Sequence, residues 1–278
     1  MFMGRAIVKN VVACIPCSFY QCLNHIMRRG EGMDKQNLVF QYRRYFDESS
    51  ATLLLVLLLC TDLAFYAIQF LAPFFPSLNN NLMLDITKDG GYPEAFQYLK
   101  WFWITILMMY VLIRNRSLSY GAWVFIFTYL LCDDAFKIHE NGGHLAAKYL
   151  SFIPPLGLRL QDIGELTTTA VACSILLPLF AWAYAYGSQI FKQLSHDLLI
   201  LLLALAFFGI VADLALTALH PYLNWKGVLF FKVFEDGGEM SVASLILWYV
   251  FRHAIRDEND SSHLFDLIRT DRRASNGM

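Results

Sequence analysis

The chain has 278 residues, is 57% hydrophobic and 15% aromatic, and carries a net charge of -1 with a mean hydropathy of +0.44. Only 16% of its residues are charged, against roughly 25% in a soluble domain, which excludes an ordinary water-soluble globule and predicts an integral membrane protein. The balanced charge argues against a nucleic-acid partner, and scattered cysteines imply no disulfide framework.

Residues 1–50 read as a cytoplasmic N-terminal segment carrying Arg5, Lys9, Arg28, Arg29, Lys35, Arg43 and Arg44. The partly apolar run Val11–Leu23 is too short and too polar to span, and it lacks a signal-peptide cleavage pattern. Cys14-Ile15-Pro16-Cys17 is a lone Cys-x-x-Cys. With no second pair, no βαβ context and a proline inside, the redox or metal reading is weaker than the bland one. Met33 is an alternative start that would leave residues 1–32 outside the biological protein.

The pattern predicts an all-α, polytopic membrane helix bundle of about six spans over 51–252. The first is Ala51–Phe75, long enough at 1.5 Å per residue to cross ~30 Å of hydrocarbon, with Asp62 near its middle. Turn residues fill the stretch from Pro76 to Gly91. The second span, Ala95–Ile113, opens on Tyr98, Trp101 and Trp103, aromatics of the headgroup level, and stops at Arg114 and Arg116. The third, Tyr120–Glu140, is expected to end at Gly142-Gly143, since glycine commonly closes helices. A connector with Pro154-Pro155 leads to the fourth span, Asp162–Ala185. The fifth is Leu198–Leu219, holding Asp213 and ending at His220-Pro221. The sixth, Phe231–Phe251, opens with Lys232, Glu235, Asp236 and Glu239. Residues 253–278 read as a polar cytoplasmic tail with a weak amphipathic turn at Ser262–Arg269.

Basic residues cluster before span one, between spans two and three, and after span six, so both termini are expected in the cytoplasm, with a bacterial inner membrane as the setting. On that map Asp133 to Glu140, Asp162, Glu165, His220, Lys232, Glu235, Asp236 and Glu239 all fall at outward span ends, with Asp213 about two turns deeper than His220. The inward ends of those helices show nothing comparable. Residues three, four or seven apart share a helix face, so four polar faces are expected to meet: Asp133/Lys137/Glu140, Asp162/Glu165/Thr169, Asp213/Thr217/His220 and Lys232/Glu235/Glu239. Ionisable groups at membrane depth are costly and often mark function.

Carboxylates with imidazole can ligate zinc, iron or manganese. The expected metal ligands are Asp133, His139, Glu165, His220 and Glu235, with Glu140 and Glu239 as catalytic acid–base groups. His144 is a poorer ligand because it follows the glycine pair. Without metal the same groups suit a proton relay or cation site, with Lys137 and Lys232 as counter-charges. The structural alternative is ordinary: Asp162 and Glu165 suit a helix N-terminus and His220 a C-terminus. It does not explain Asp133, Asp134 and Glu140, which oppose the dipole at a C-terminal end. Asp62 either reaches the cluster or joins two helices. His196 and His253 read as interfacial residues.

Asp133-Asp134 with His139-Glu140, followed by Glu235-Asp236-Gly-Gly-Glu239, resembles a pattern in uncharacterised bacterial multi-pass membrane proteins, which implies no activity. Intramembrane metal hydrolases of the alkaline ceramidase and adiponectin-receptor type also place Asp and His on several helices. Their last-span His-x-x-x-His is absent here, as are the histidine boxes of membrane desaturases, so the likeness is one of chemistry alone. The expected function is that of a membrane protein with an outward-facing polar site for a divalent metal or cation; if it is an enzyme, the reaction expected is metal-assisted hydrolysis of a lipid or amphipathic substrate. The alternatives are a proton- or cation-coupled transporter or channel component, and a non-catalytic accessory subunit. The lipid bilayer is the expected surrounding, with a membrane-protein partner or a second copy as further candidates.

Overall fold

The computed structural model describes residues 35–256 except 76, 77, 79, 80, 89, 153 and 155–157, and for 35–47 and Leu82 only the backbone. The Cys14–Cys17 pair, Met33 and the tail from residue 257 onward lie outside the described residues. The chain divides into two units, Met1–Ser50 and Ala51–Met278, and every side-chain contact below lies within the second.

Among the described residues all regular structure is helical. The long elements are α1 (Lys35–Leu71), α2 (Tyr92–Asn115), α3 (Tyr120–Phe136), α4 (Ile138–Ala147), α5 (Leu160–Tyr186), α6 (Gln189–Ala206), α7 (Asp213–Leu219) and α8 (Trp225–Ile255). A π-helical stretch, Phe207–Ala212, joins α6 to α7 without a loop. The helix starts carry recognisable caps. Ser188 Oγ accepts from Phe191 N at α6, and Asn224 Oδ1 accepts from Gly227 N at α8. At α5 the Arg159 backbone N–H donates to Asp162, closing a capping box.

Four stretches are long and apolar enough to cross a membrane: Glu48–Phe74, Tyr92–Asn115, Leu160–Tyr186 and Gln189–Tyr222. Their apolar windows are only 6% to 33% buried within the chain, so most of this surface needs an apolar surrounding, which a lipid bilayer provides. Helix α3, at 17 residues, covers only about 25 Å, and α8 carries charges through its first half.

Helix α8 is the axis of the bundle. Its Val242, Ala243, Ile246, Leu247 and Val250 join Trp101, Ile104 and Met108 of α2, Trp123 and Phe127 of α3, and Leu194 and Leu198 of α6 in one core. Trp123 sits between Phe127 and Phe180, with ring centroids 5.6 and 5.2 Å away.

The expected single helix Tyr120–Glu140 is broken. Helix α3 ends at Phe136, Lys137 takes a left-handed conformation (φ 53°), and α4 begins at Ile138. Asp133 makes the break tenable, because its carboxylate accepts the His139 backbone N–H just beyond the turn. Gly142-Gly143 does not close a helix; it lies inside α4. A Cβ on Gly143 would fall 2.4 Å from Glu165 Cγ, and one on Gly164 would fall 2.3 Å from Gly143 O. These glycines let α4 and α5 approach at backbone contact.

Candidate functional site

The break between α3 and α4 builds the best-defined polar pair. Asp133 Oδ1 accepts from His139 N at 2.9 Å, and Asp133 Oδ2 lies 3.0 Å from His139 Nδ1. Tyr129 donates to the same carboxylate at 3.4 Å. Hydrogen bonding and charge from Asp133 push the His139 imidazole up to about 9. With Nδ1 turned to Asp133, Nε2 is the nitrogen left for chemistry. One residue along, Asp134 Oδ2 accepts from Trp101 Nε1 at 2.7 Å, tying α3 to α2.

The other expected site residues divide into two groups. Glu140 faces Lys137 at 3.7 Å, a half-buried i,i+3 pair, and the expected Asp133/Lys137/Glu140 face is split by the turn at Lys137. Asp162 is buried and held by the Arg159 guanidinium at 2.7 Å, which gives it the capping role. Glu165 accepts from Gln161 at 2.7 Å. His220 is exposed in a 3-10 turn, His220–Tyr222, and His144 is exposed on α4.

Some charges from separate helices lie within electrostatic reach of one another. Glu239 lies within electrostatic reach of Asp134, Glu235, Asp236 and His139. Asp213 lies within reach of Asp162, Glu165, Arg159 and His139, and Glu235 within reach of Asp213, Asp236 and Lys232. His139 is therefore the shared neighbour of acids from α3, α7 and α8. No three His, Cys, Asp or Glu side chains are grouped closely enough to hold a metal ion among the described residues.

Glu239 occupies an unusual place. A Cβ on Gly209 would lie 2.1 Å from its Oε1, so the carboxylate packs on the π-helical stretch where a side chain is missing. Among the described residues it makes no hydrogen bond or ion pair. Single π-helical turns recur at functional sites because they displace the local backbone and its partners.

Of the two roles expected of Asp62, the structure shows the joining of helices, at a second polar centre in the middle of the bundle whose lysine the sequence reading missed. Lys100 Nζ donates to Asp62 Oδ1 at 2.6 Å and to Met240 O at 2.9 Å. Ser244 donates to Asp62 Oδ2 at 2.6 Å, and the Lys100 ammonium lies 4.6 Å from the centre of the Phe96 ring. Tyr66 donates to Gly237 O and is paired with Ser241 Oγ at 2.8 Å. Asp62 thus links three helices, and its partner is a lysine that stands beside the aromatics Tyr98, Trp101 and Trp103 in the sequence. A lone cation in one apolar span and a lone anion in the next was the available signal.

The far ends of these helices, where nothing comparable to the outward cluster was expected, hold buried polar contacts of their own. There Tyr249 donates to Asp197 Oδ2 at 2.6 Å and Trp123 Nε1 donates to Ser195 Oγ at 2.9 Å, all inside the bundle. Arg114 donates to Ala254 O at 2.6 Å and Arg256 O at 3.1 Å, satisfying carbonyls at the end of α8. These groups went unread because Ser195 and Asp197 flank the polar His196 in an apparent loop, whereas α6 already starts at Gln189. No protein-family model matches the chain, and no curated protein or solved structure matches it.

Proposed function

We propose that the chain is a six-span membrane protein that passes protons, or a cation exchanged for them, along α8, from one polar neighbour of that helix to the next. The observation that carries this reading is the buried Asp62–Lys100 pair near the middle of an apolar span. A buried ion pair is a weak device for stability, since well-packed apolar residues commonly do as well. Ionisable groups at membrane depth are characteristic of proton and ion routes.

Three features support it. From Lys232 to Arg252, α8 covers about 30 Å, the thickness of the hydrocarbon core. Along that length it brings Glu239 within electrostatic reach of Asp134 and His139, then bonds the Lys100–Asp62 pair through Met240 and Ser244, and Asp197 through Tyr249. Steps from Glu239 to Ser244 and from Ser244 to Tyr249 are about 7.5 Å along the axis, so side-chain motion or water must bridge them. The π-helical interruption opposite Glu239 is the kind of broken span that transporters place at their binding sites. Six spans follow if α3 and α8 cross with α1, α2, α5 and the α6–α7 run. Both termini then share one side, and the positions of Arg114, Arg116, Arg252 and Arg256 favour the cytoplasm.

One observation favours a second reading, metal-assisted hydrolysis of a lipid. Asp133 holds the His139 ring through Nδ1 and leaves Nε2 available, as carboxylates behind the histidine ligands of zinc, iron or manganese do. Glu239 or Glu140 would then serve as general base.

Purified protein in liposomes separates the two. Under proton transfer, Glu239→Gln lowers proton flux at least about tenfold, a loss of at least ~1.4 kcal/mol of barrier stabilisation, with folded yield retained. Unchanged flux in that variant removes Glu239 from the route. Stoichiometric metal by elemental analysis, lost in His139→Ala, would favour hydrolysis instead.

A further inference from the structure

A cavity of about 290 Å³ lies at the Lys232 end, between the end of α1, the segment before α2, and the first turns of α8. Its size is close to the lower bound of ~300 Å³ for small-molecule sites. Ile68, Leu84, Val228 and Leu229 supply apolar wall. Two opposite charges also line it, Asp85 and Lys232, and they form no ion pair with each other or with any other described residue.

Asp85 is prepared for a ligand on one side only. Its Oδ1 accepts from Gln69 Nε2 at 3.0 Å and from both Thr87 N and Thr87 Oγ1 at 2.9 Å. Gln69 in turn accepts from Ile86 N, so the segment is fastened to α1. Asp85 Oδ2 has no hydrogen-bond partner among the described residues. A carboxylate with one unpaired oxygen and a lysine therefore line one cavity without forming an ion pair, alongside its apolar wall.

We propose that this cavity binds a zwitterion with an apolar body: a primary ammonium donating to Asp85 Oδ2 and a carboxylate or phosphate accepting from Lys232. Charge-assisted hydrogen bonds at both poles fix its orientation, and the apolar wall takes the body. Free apolar amino acids and the headgroup of phosphatidylethanolamine share this chemistry. The proposal goes beyond proton movement and stands whether or not α8 conducts.

The test is equilibrium binding of labelled leucine to the full chain in phosphatidylcholine nanodiscs, whose quaternary ammonium cannot donate to Asp85. Expected is saturable binding, weakened about tenfold or more in Asp85→Asn, Lys232→Gln and Ala72→Phe, which narrows the wall. Asp85→Asn also loosens the segment; if it fails to fold, the other two variants carry the comparison. The single-charge analogues 4-methylpentanoate and 3-methylbutylamine are expected to bind at least about tenfold more weakly. Displacement of leucine by phosphatidylethanolamine, or Lys232-dependent retention of that lipid without leucine binding, sustains the proposal with the bilayer as source. Leucine binding unaffected by the lipid sustains it with the aqueous phase as source. Either analogue binding as tightly as leucine, unchanged affinity in the variants, or binding of neither leucine nor phosphatidylethanolamine overturns it.

Discussion

Lys100 and Asp62 meet at 2.6 Å with side-chain exposures of 0% and 1%, and Ser244 occupies the second oxygen of the carboxylate. Removing one partner leaves an uncompensated charge in the bundle, so Asp62→Ala and Lys100→Ala are each expected to lower stability by about 3–5 kcal/mol. The apolar double variant Asp62→Leu with Lys100→Met is expected to recover most of that loss. Chemical denaturation of all three in detergent measures both. Single variants within about 1 kcal/mol of the parent would mean the pair is solvated rather than buried.

His139 gives the fold a pH dependence with a definite sign. Its ordinary value is 6.5, and the partner Asp133 raises it to about 9 in the folded chain. The stabilising contribution is therefore complete below about pH 6.5 and is lost as pH rises through about 9. The ring is 35% exposed, which keeps the amplitude modest. Denaturation midpoints from pH 6 to 10 are expected to fall for the parent and to flatten in Asp133→Asn. A midpoint that rises over this range contradicts the Asp133–His139 contact.

The α4–α5 contact is set by backbone approach. Gly164→Ala would put a methyl 2.3 Å from Gly143 O, which cannot swing away as a side-chain tip can. A loss of about 1–3 kcal/mol is expected. Gly121→Ala meets nothing within 4 Å and is expected to be neutral or to gain up to about 1 kcal/mol through helix propensity. Thermal melts of the two variants, compared directly, check this; equal melting temperatures would deny close packing at Gly164.

Much of this was legible in the residues. Apolar runs free of charge dictate helices, because a bilayer leaves backbone groups no other partner. Asp133, His139, Asp213, Glu235 and Glu239 stand out because charge is rare in such runs. The break at Lys137 was hidden, since nothing local marks a left-handed lysine; it depends on Asp133 reaching His139 across the turn. Gly142-Gly143 reads as a stop when its neighbours are unknown and as a packing surface once Gly164 and Thr168 lie against it. Lys100 was masked by aromatic company, and the π-helical turn at Phe207–Ala212 has no composition of its own.

Gly209 leaves the space that the Glu239 carboxylate occupies, which sets a test of the proposed route. Gly209→Ala would place its Cβ 2.1 Å from Glu239 Oε1, and the flexible carboxylate end can move aside. Folded yield is therefore expected to hold while proton flux falls, by about tenfold or more for a displaced donor. Lost folding with no soluble detergent-extracted protein would instead assign Gly209 to packing. Full flux with normal folding would separate the π-helical turn from the route.

Proton entry into sealed liposomes containing the purified full chain, driven by a potassium diffusion potential and read with a trapped pH-sensitive dye, tests the role of α8 most directly. The expected result is potential-driven acidification well above protein-free liposomes, reduced at least about tenfold in Asp62→Asn reconstituted at equal folded density. Acidification no faster than in protein-free liposomes, or equal rates in the parent and Asp62→Asn, would contradict proton passage along α8.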